Sequence, residues 1–365
     1  MKHMDEVFMR EALRLAARGK GRVEPNPMVG AAIVKNGKVI TRGWHRRYGA
    51  SHAEVEALKR AGKRAKGATL FVTLEPCAHW GKTPPCADAV LRAGVSRVVI
   101  AARDPNGLAR GGVEALRRAS TKVSVGILEK EARALNASFY TFHMMKRPFV
   151  SLKFAASLDG KLGTRTGESK WLTSEAARRY ARRLRGEHTA VLVGVETVLA
   201  DDPRLTSRTY GLREPLRIVL DSRLRIPLKA HILNERLRKS FMRNPGILIA
   251  TTSRASARKR KALEARGVHT LVCGKTRVSI SQLLRELYKM NIQSVLVEGG
   301  GSVLGSFLDA GVADKVYAFY GSLLIGGTDA PSIGGRGMRS LVDALRLRAF
   351  TIKRFGDSVL ILGSR

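Results

Sequence analysis

At 365 residues the chain is longer than one hydrophobic core usually grows, so two domains of ordinary size are expected. Its 44% apolar and 26% charged residues exclude a disordered or fibrous chain; no run of about 18 apolar residues could span a bilayer and the N-terminus is acidic where a signal peptide is apolar, so a cytoplasmic protein is expected. The formal charge of +36 is shared by both halves and aromatics are only 6%, so it reads as solvated surface; nucleic-acid binding is not expected, and a phosphorylated substrate is favoured.

Met4, Phe8, Ala12 and Leu15 share one face of a helix over 4–18, stopped by Gly19. Two β-rich runs follow, 28–34 and 38–44, joined at Asn36-Gly37, the strongest two-residue hairpin signal. A helix near 52–64, a strand at 69–74, a helix near 84–93, a strand at 97–101 and a helical segment ending near Ala137 complete an α/β sheet covered by helices. Tyr140 to Pro148 is the expected linker. In the second half strands are expected at 149–155, 189–193, 216–220, 247–251, 268–273, 293–297, 315–320 and near 350–361, with helices near 174–185, 254–266, 279–290 and 301–310. Residues 223–245, rich in Lys and Arg, read as a long exposed loop. Cys273 lies in an apolar run and reads as core. Cys77 and Cys86 form no disulfide framework, and a close cysteine pair in a reducing compartment points to a metal.

His52-Ala53-Glu54 opens one expected helix, Cys77 follows a strand, and Cys86 opens another helix with Thr83 as N-cap and Pro84 at its first position. One imidazole and two thiolates make a three-ligand zinc (Zn2+) site that leaves a fourth position for water, whose pKa the metal lowers toward neutrality. Glu54, two residues after a ligand, is placed to carry protons as general acid and base in hydrolytic removal of a ring amino group. Taken alone, Ser51-His52-Ala53-Glu54 also spells a capping box in which Glu54 merely returns to the Ser51 backbone. The ordered set of three ligands within 35 residues is what outweighs that reading.

The two cysteines stand farther apart than the C-x-x-C of zinc deaminases in general. The spacer itself, Pro76-Cys77-Ala78-His79-Trp80-Gly81-Lys82-Thr83-Pro84-Pro85-Cys86, with Asn26-Pro27-Met28-Val29-Gly30 upstream, resembles the bifunctional riboflavin biosynthesis family: a diaminohydroxyphosphoribosylaminopyrimidine deaminase fused to a 5-amino-6-(5-phosphoribosylamino)uracil reductase. The resemblance runs from about Met4 to Leu362. It implies that Asn26, His79 and Lys82 line the deaminase substrate pocket.

In the second half, no G-x-G-x-x-G fingerprint is present, and the residues alone offer a strand, Val295 to Val297, running into Glu298-Gly299-Gly300-Gly301-Ser302, where glycines let a phosphate approach a helix N-terminus. A plain strand-to-helix turn reads equally well. Lys153 to Gly160, Gly167 to Trp171 and Thr197 to Thr206 resemble the reductase half, a dihydrofolate-reductase-like domain. By that resemblance Ala156, Trp171, Thr197, Asp201, Ser222 and the turn Gly300, Gly301, Ser302, Val303, Leu304, Gly305 and Ser306 contact NADPH. Ser169, Arg185, Leu205, Arg208 and Glu298 contact the substrate, the two arginines suiting its phosphate, and Lys153 polarises the sugar during hydride transfer. Ser222-Arg223 is where a 2′-phosphate is read, favouring NADPH over NADH.

The expectation is therefore an α/β protein of two domains: 1–146, a cytidine-deaminase-like three-layer α/β/α zinc deaminase, and 147–365, a dihydrofolate-reductase-like α/β reductase using NADPH. Its substrate is a phosphorylated pyrimidine nucleotide, no membrane is involved, and the resemblance implies a dimer through the reductase half. The alternatives are a tRNA base deaminase with an unrelated C-terminal domain, which predicts C-x-x-C, and a basic RNA-binding protein with a structural zinc, which needs a fourth ligand.

Overall fold

Asn36 and Gly37, both at positive φ, turn the chain between strands β1 (Gly30–Lys35) and β2 (Lys38–Trp44), as their residue types demand. In the computed structural model, which describes residues 2–80, 84–234 and 246–365, the chain divides into two compact units, Met1–Lys146 and Arg147–Arg365. In the first unit β3 (Thr69–Leu74), β4 (Arg97–Ala102) and β5 (Lys122–Val125) complete a sheet in the order β2-β1-β3-β4-β5, parallel from β3 to β5 and antiparallel on either side of β1. The period-2 pattern is clean. Ile33, Leu70, Val72, Val98 and Ile100 pack against helices α2 (Ala53–Ala61), α3 (Cys86–Arg92) and α4 (Gly112–Arg118). The alternate residues Ala32, Phe71, Val99 and Ala101 pack against α1 (Lys2–Ala17), α5 (Glu129–Leu135) and α6 (Ala137–Met145). The three-layer α/β/α expectation holds.

The second unit is again three layers, with nine strands among the described residues. These are β6 (Phe149–Ala156), β7 (Ala190–Gly194), β8 (Leu216–Leu220), β9 (Ile247–Thr251), β10 (His269–Val272), β11 (Ser294–Val297), β12 (Lys315–Tyr320), β13 (Phe350–Phe355) and β14 (Ser358–Ser364), in the order β10-β9-β8-β7-β11-β6-β12-β14-β13. All neighbours from β10 to β12 are parallel; β14 and β13 add an antiparallel edge. Helices α10 (Ile280–Lys289) and α11 (Gly301–Asp309) cover one face; α7 (Glu175–Gly186), α8 (Val195–Asp201) and α9 (Ala257–Glu264) cover the other. Three helices start where a serine hydroxyl caps them: Ser174, Ser256 and Ser279 accept the N–H of Ala177, Lys259 and Gln282. In a parallel sheet the strand ends converge at one edge, so Lys153, Ser222 and Glu298 are delivered to the same side.

Several expectations are corrected. Most of the expected linker, 140–148, is the end of α6, whose Phe139, Tyr140 and Phe142 are buried; only Lys146 to Pro148 is non-helical. Residues 223–234 are not an exposed loop, because Leu224, Ile226, Ile232 and Leu233 enter the core beside β8; 235–245 lie outside the described residues. Helix α3 begins at Cys86 rather than Pro84, since Pro85 drives Pro84 out of the helical region. The run at 350–361 is a hairpin, β13 and β14, turning at Gly356, φ 66°. On α1 the buried face is Met9, Ala12, Leu15 and Ala16, with Met4 exposed.

Candidate active sites

Gly43 on β2 lets α2 come close: a Cβ there would lie 2.2 Å from the Ala53 carbonyl oxygen. That contact sets the start of α2, where His52 is the N-cap and Glu54 lies in the first turn. Neither Ser51 nor His52 caps the helix through its side chain, so the capping-box reading fails and Glu54 is instead buried at 3% exposure. Cys77 follows β3 and Cys86 begins α3, so three separate segments deliver the donor atoms. His52 Nδ1 stands 3.1 Å from Cys86 Sγ and 3.8 Å from Cys77 Sγ, and the Cys86 N–H donates to Cys77 Sγ at 3.4 Å. All three donor atoms lie within 4.8 Å of one another, the one such group among the described residues.

This donor set, one imidazole nitrogen and two sulfurs, fits zinc with a position left open. The Cys86 thiol and the His52 ring hold the Cys77 sulfur below the ordinary thiol range, while the same Cys77 contact and burial push the Cys86 thiol up. A thiol whose proton is loosened in this way is disposed to bind a cation as thiolate. Burial pushes the Glu54 carboxyl up to about 7, against the pull of His52. A carboxyl with that affinity can both take and give a proton near neutral pH.

His45, which sequence reasoning missed, is buried beside the cluster with its ring edge-on to His52 at 5.4 Å. Its Nδ1 faces the Ser51 carbonyl oxygen at 3.1 Å and therefore carries the proton; its Nε2 then accepts from the Asn26 amide at 3.1 Å. Burial lowers the His45 pKa, keeping the ring neutral for that role. Asn26 is thereby brought to the metal cluster. His79 sits on an exposed loop and Lys82 lies outside the described residues.

In the second unit Glu298, just past β11, is the hub. Its carboxylate receives Arg185 of α7 in a fork, Nε to Oε1 at 2.7 Å and Nη2 to Oε2 at 2.9 Å, and Lys153 Nζ of the neighbouring β6 stands 3.5 Å from Oε2. Burial alone would raise the Glu298 pKa, but Arg185 and then Lys153 outweigh it and hold it at about 2. Arg185 also donates to the Thr206 carbonyl oxygen at 3.3 Å, so its guanidinium is largely engaged within the protein. Asp202, Leu205 and Arg208 all adopt left-handed φ without being glycine, a concentration of unfavourable backbone where the resemblance places substrate contacts.

Ala156 ends β6 fully buried, Thr197 is half-buried on α8, and Ser169 is exposed. Trp171 is 69% exposed with the Arg178 guanidinium 4.1 Å from its ring, while Lys170 reaches Asp201 at 3.5 Å. The Ser222 carbonyl accepts from the Thr252 hydroxyl at 2.8 Å and its own hydroxyl accepts from the Val278 N–H at 3.3 Å. The glycine turn divides by role. A Cβ on Gly301 would meet the Ser332 carbonyl oxygen at 1.8 Å and one on Gly305 the Gly334 carbonyl oxygen at 2.1 Å, whereas around Gly300 nothing lies within 4 Å. Ser302 and Ser306 are joined by a hydrogen bond along α11, Val303 is nearly buried, and Leu304 is fully buried in the core.

Residues 148–361 match the RibD C-terminal domain family, and residues 2–102 match the cytidine and deoxycytidylate deaminase zinc-binding region. The riboflavin biosynthesis protein RibD of Aquifex aeolicus is 44% identical over 367 residues, covering 100% of this chain and 99% of that one. RibD of Escherichia coli is 38% identical over 373 residues, covering 98% of both. Among solved structures, Acinetobacter baumannii RibD superposes with a TM-score of 0.89 at 35% identity, covering 100% of this chain and 99% of that one. A diaminohydroxyphosphoribosylaminopyrimidine deaminase/5-amino-6-(5-phosphoribosylamino)uracil reductase of Thermotoga maritima does so with 0.84 at 36% identity and the same coverage.

Proposed function

The chain belongs to the RibD family of riboflavin biosynthesis proteins, enzymes that are deaminase and reductase in one polypeptide, and on that premise we propose how its residues divide the two reactions. Residues 1–146 remove the ring amino group of 2,5-diamino-6-ribosylamino-4(3H)-pyrimidinone 5′-phosphate, and residues 147–365 reduce the ribosyl side chain to ribityl. The observation that carries the first assignment is the convergence of His52, Cys77 and Cys86 beside a buried carboxyl. Zinc held by these three supplies Lewis acidity that brings the pKa of water toward neutrality. Glu54 moves the proton from that water to the ring nitrogen and the departing amine. Asn26, held by His45, orients the ring, and His79 with Lys82 addresses the phosphate.

In the reductase half, NADPH supplies the hydride and the protein orients it. Lys153, kept in place by Glu298, donates to the sugar oxygen as the side chain is reduced. Arg185 acts through Glu298, Arg208 takes the substrate phosphate, and Ser169 and Leu205 shape the pocket. Ala156, Trp171, Thr197, Asp201 and the turn 300–306 hold the cofactor, and Ser222 favours NADPH over NADH. Dimerisation through this half is supported by the edge strand β13, which exposes Phe350 and Ile352, and a cytoplasmic location by the reducing compartment that keeps Cys77 and Cys86 free for a metal. A tRNA base deaminase leaves the C-terminal half without a role, and that half matches the RibD C-terminal domain.

Incubation with the diaminopyrimidine nucleotide tests the reading. Ammonia should appear without NADPH, and NADPH should be consumed only after deamination or when the deaminated intermediate is supplied. Ammonia release from a tRNA anticodon loop and none from the free nucleotide would overturn it.

A further inference from the structure

Residues 75–78, which deliver the Cys77 sulfur, belong to neither strand nor helix, yet that sulfur must be placed closely enough to share an ion with His52 and Cys86. What fixes them is a second segment. Glu75, whose carboxylate is fully buried, accepts the backbone N–H of Asp104 at 3.3 Å through Oε2 and those of Gly111 at 3.1 Å and Val113 at 3.2 Å through Oε1. The Arg103 guanidinium stands 3.7 Å from Oε1 and is itself tied to Glu114 at 2.6 Å. Two more contacts join the same segments: Ala78 N–H donates to the Ala109 carbonyl oxygen at 3.1 Å, and Gly112 lies so near that a Cβ on it would be 1.8 Å from the Pro76 carbonyl oxygen. The peptide immediately before Cys77 is therefore pressed against residues 104–113, and Glu75 is the group that holds them there.

We propose that Glu75 is a positioning residue of the metal centre: by pinning residues 104–113 against residues 75–78 it fixes the Cys77 sulfur where it shares a zinc ion with His52 and Cys86. The inference rests on the zinc reading above and extends it to a residue that touches neither metal nor substrate. Glutamine at position 75 would turn an amide NH2 toward at least one of the three N–H donors, because only one of its two terminal atoms accepts. Ligand supports of this kind typically change metal affinity by about 10- to 100-fold when removed.

The test uses the full-length, zinc-loaded protein and follows metal release into a colorimetric zinc chelator. Glu75→Gln is expected to release zinc at least tenfold faster than wild type, and Glu75→Asp, which keeps the charge but falls one methylene short, to lie between. At saturating zinc the ammonia-forming kcat of both should return toward wild type with little change in KM, a recovery that a general loss of folding would not give. Thermal unfolding of the zinc-loaded 1–146 unit, followed by circular dichroism, reports whether the unit that carries Glu75 is folded; should the Gln variant fail that check, the Asp variant decides by the criterion of faster release. Release within twofold of wild type overturns the proposal. A wild-type chain that takes up no zinc, or a Cys77→Ser variant that keeps it unchanged, overturns the zinc reading itself.

Discussion

Glu54 and Glu298 are both buried carboxyls, and their surroundings send them in opposite directions. Around Glu54 burial dominates and the group keeps its proton up to about pH 7, as a proton carrier should. Glu54→Gln should keep the zinc, measured by metal analysis, and lower the ammonia-forming kcat by about 10²- to 10⁴-fold; undiminished release would remove Glu54 from the reaction. Around Glu298 two cations win. A carboxyl held at about 2 rather than its ordinary 4.5 stabilises the fold at pH above the ordinary value, and that contribution is lost as pH falls from about 4.5 to about 2. The shift corresponds to about 3 kcal/mol. Glu298→Gln, which leaves Arg185 and Lys153 without their counter-charge, should therefore lose about 3 kcal/mol at pH 7 by urea unfolding of the reductase unit and show a weaker loss on acidification. An unchanged acid profile would place the stabilising charge elsewhere. The metal ligands were legible in the sequence because thiolate and imidazole chemistry leaves few alternatives; His45 was not, since a buried histidine is recognised by its two partners, and those come from residues 26 and 51.

At the scale of elements, alternation and glycine placement could be read in advance, while the elements whose pattern is set by tertiary contact could not. Strands β1, β3 and β4 stand within two residues of where β-rich, near-continuous apolar runs put them. The cationic residues of 223–234 make that stretch read as exposed, yet Leu224, Ile226 and Ile232 decide its burial. The short β5 and α4 gave no sequence signal, and α4 owes its start in part to Glu75, which lies far back in the chain. The glycine turn before α11 shows how one motif serves two ends. Gly300 has an ordinary φ of −62° and open space on its Cα, so Gly300→Ala should leave thermal stability within about 1 kcal/mol of wild type. If that space is the cofactor's, the same variant should raise the KM for NADPH severalfold. Gly301→Ala has no such freedom: its methyl would strike the Ser332 carbonyl oxygen, so unfolding should come earlier by at least about 2 kcal/mol, with weaker cofactor binding as a consequence. Calorimetry and NADPH titration separate the two. Equal destabilisation by both substitutions would mean that Gly300, too, is there for packing.

For the molecule as a whole, the decisive fact is that each unit has hydrophobic clusters of its own among the described residues. The clusters on either face of the first sheet draw only on residues up to Tyr140, and those of the second begin at Val150. A segment of 146 residues is long enough to bury a core of its own, so a cut between Lys146 and Arg147 leaves each piece the clusters it draws from its own residues. The charge of +36 is shared in the same way and gives neither piece a special surface. Residues 1–146 expressed alone should bind zinc and release ammonia at a rate within a few-fold of the intact chain, and oxidise no NADPH. Residues 147–365 alone should oxidise NADPH when given the deaminated intermediate, and should sediment as a dimer while the shorter piece remains monomeric. The two halves of this prediction fail differently. NADPH oxidation by the shorter piece would refute the division of labour, because Lys153 and Glu298 are absent from it. Loss of ammonia release despite bound zinc would instead show that the deaminase depends on its fused partner for something beyond core packing.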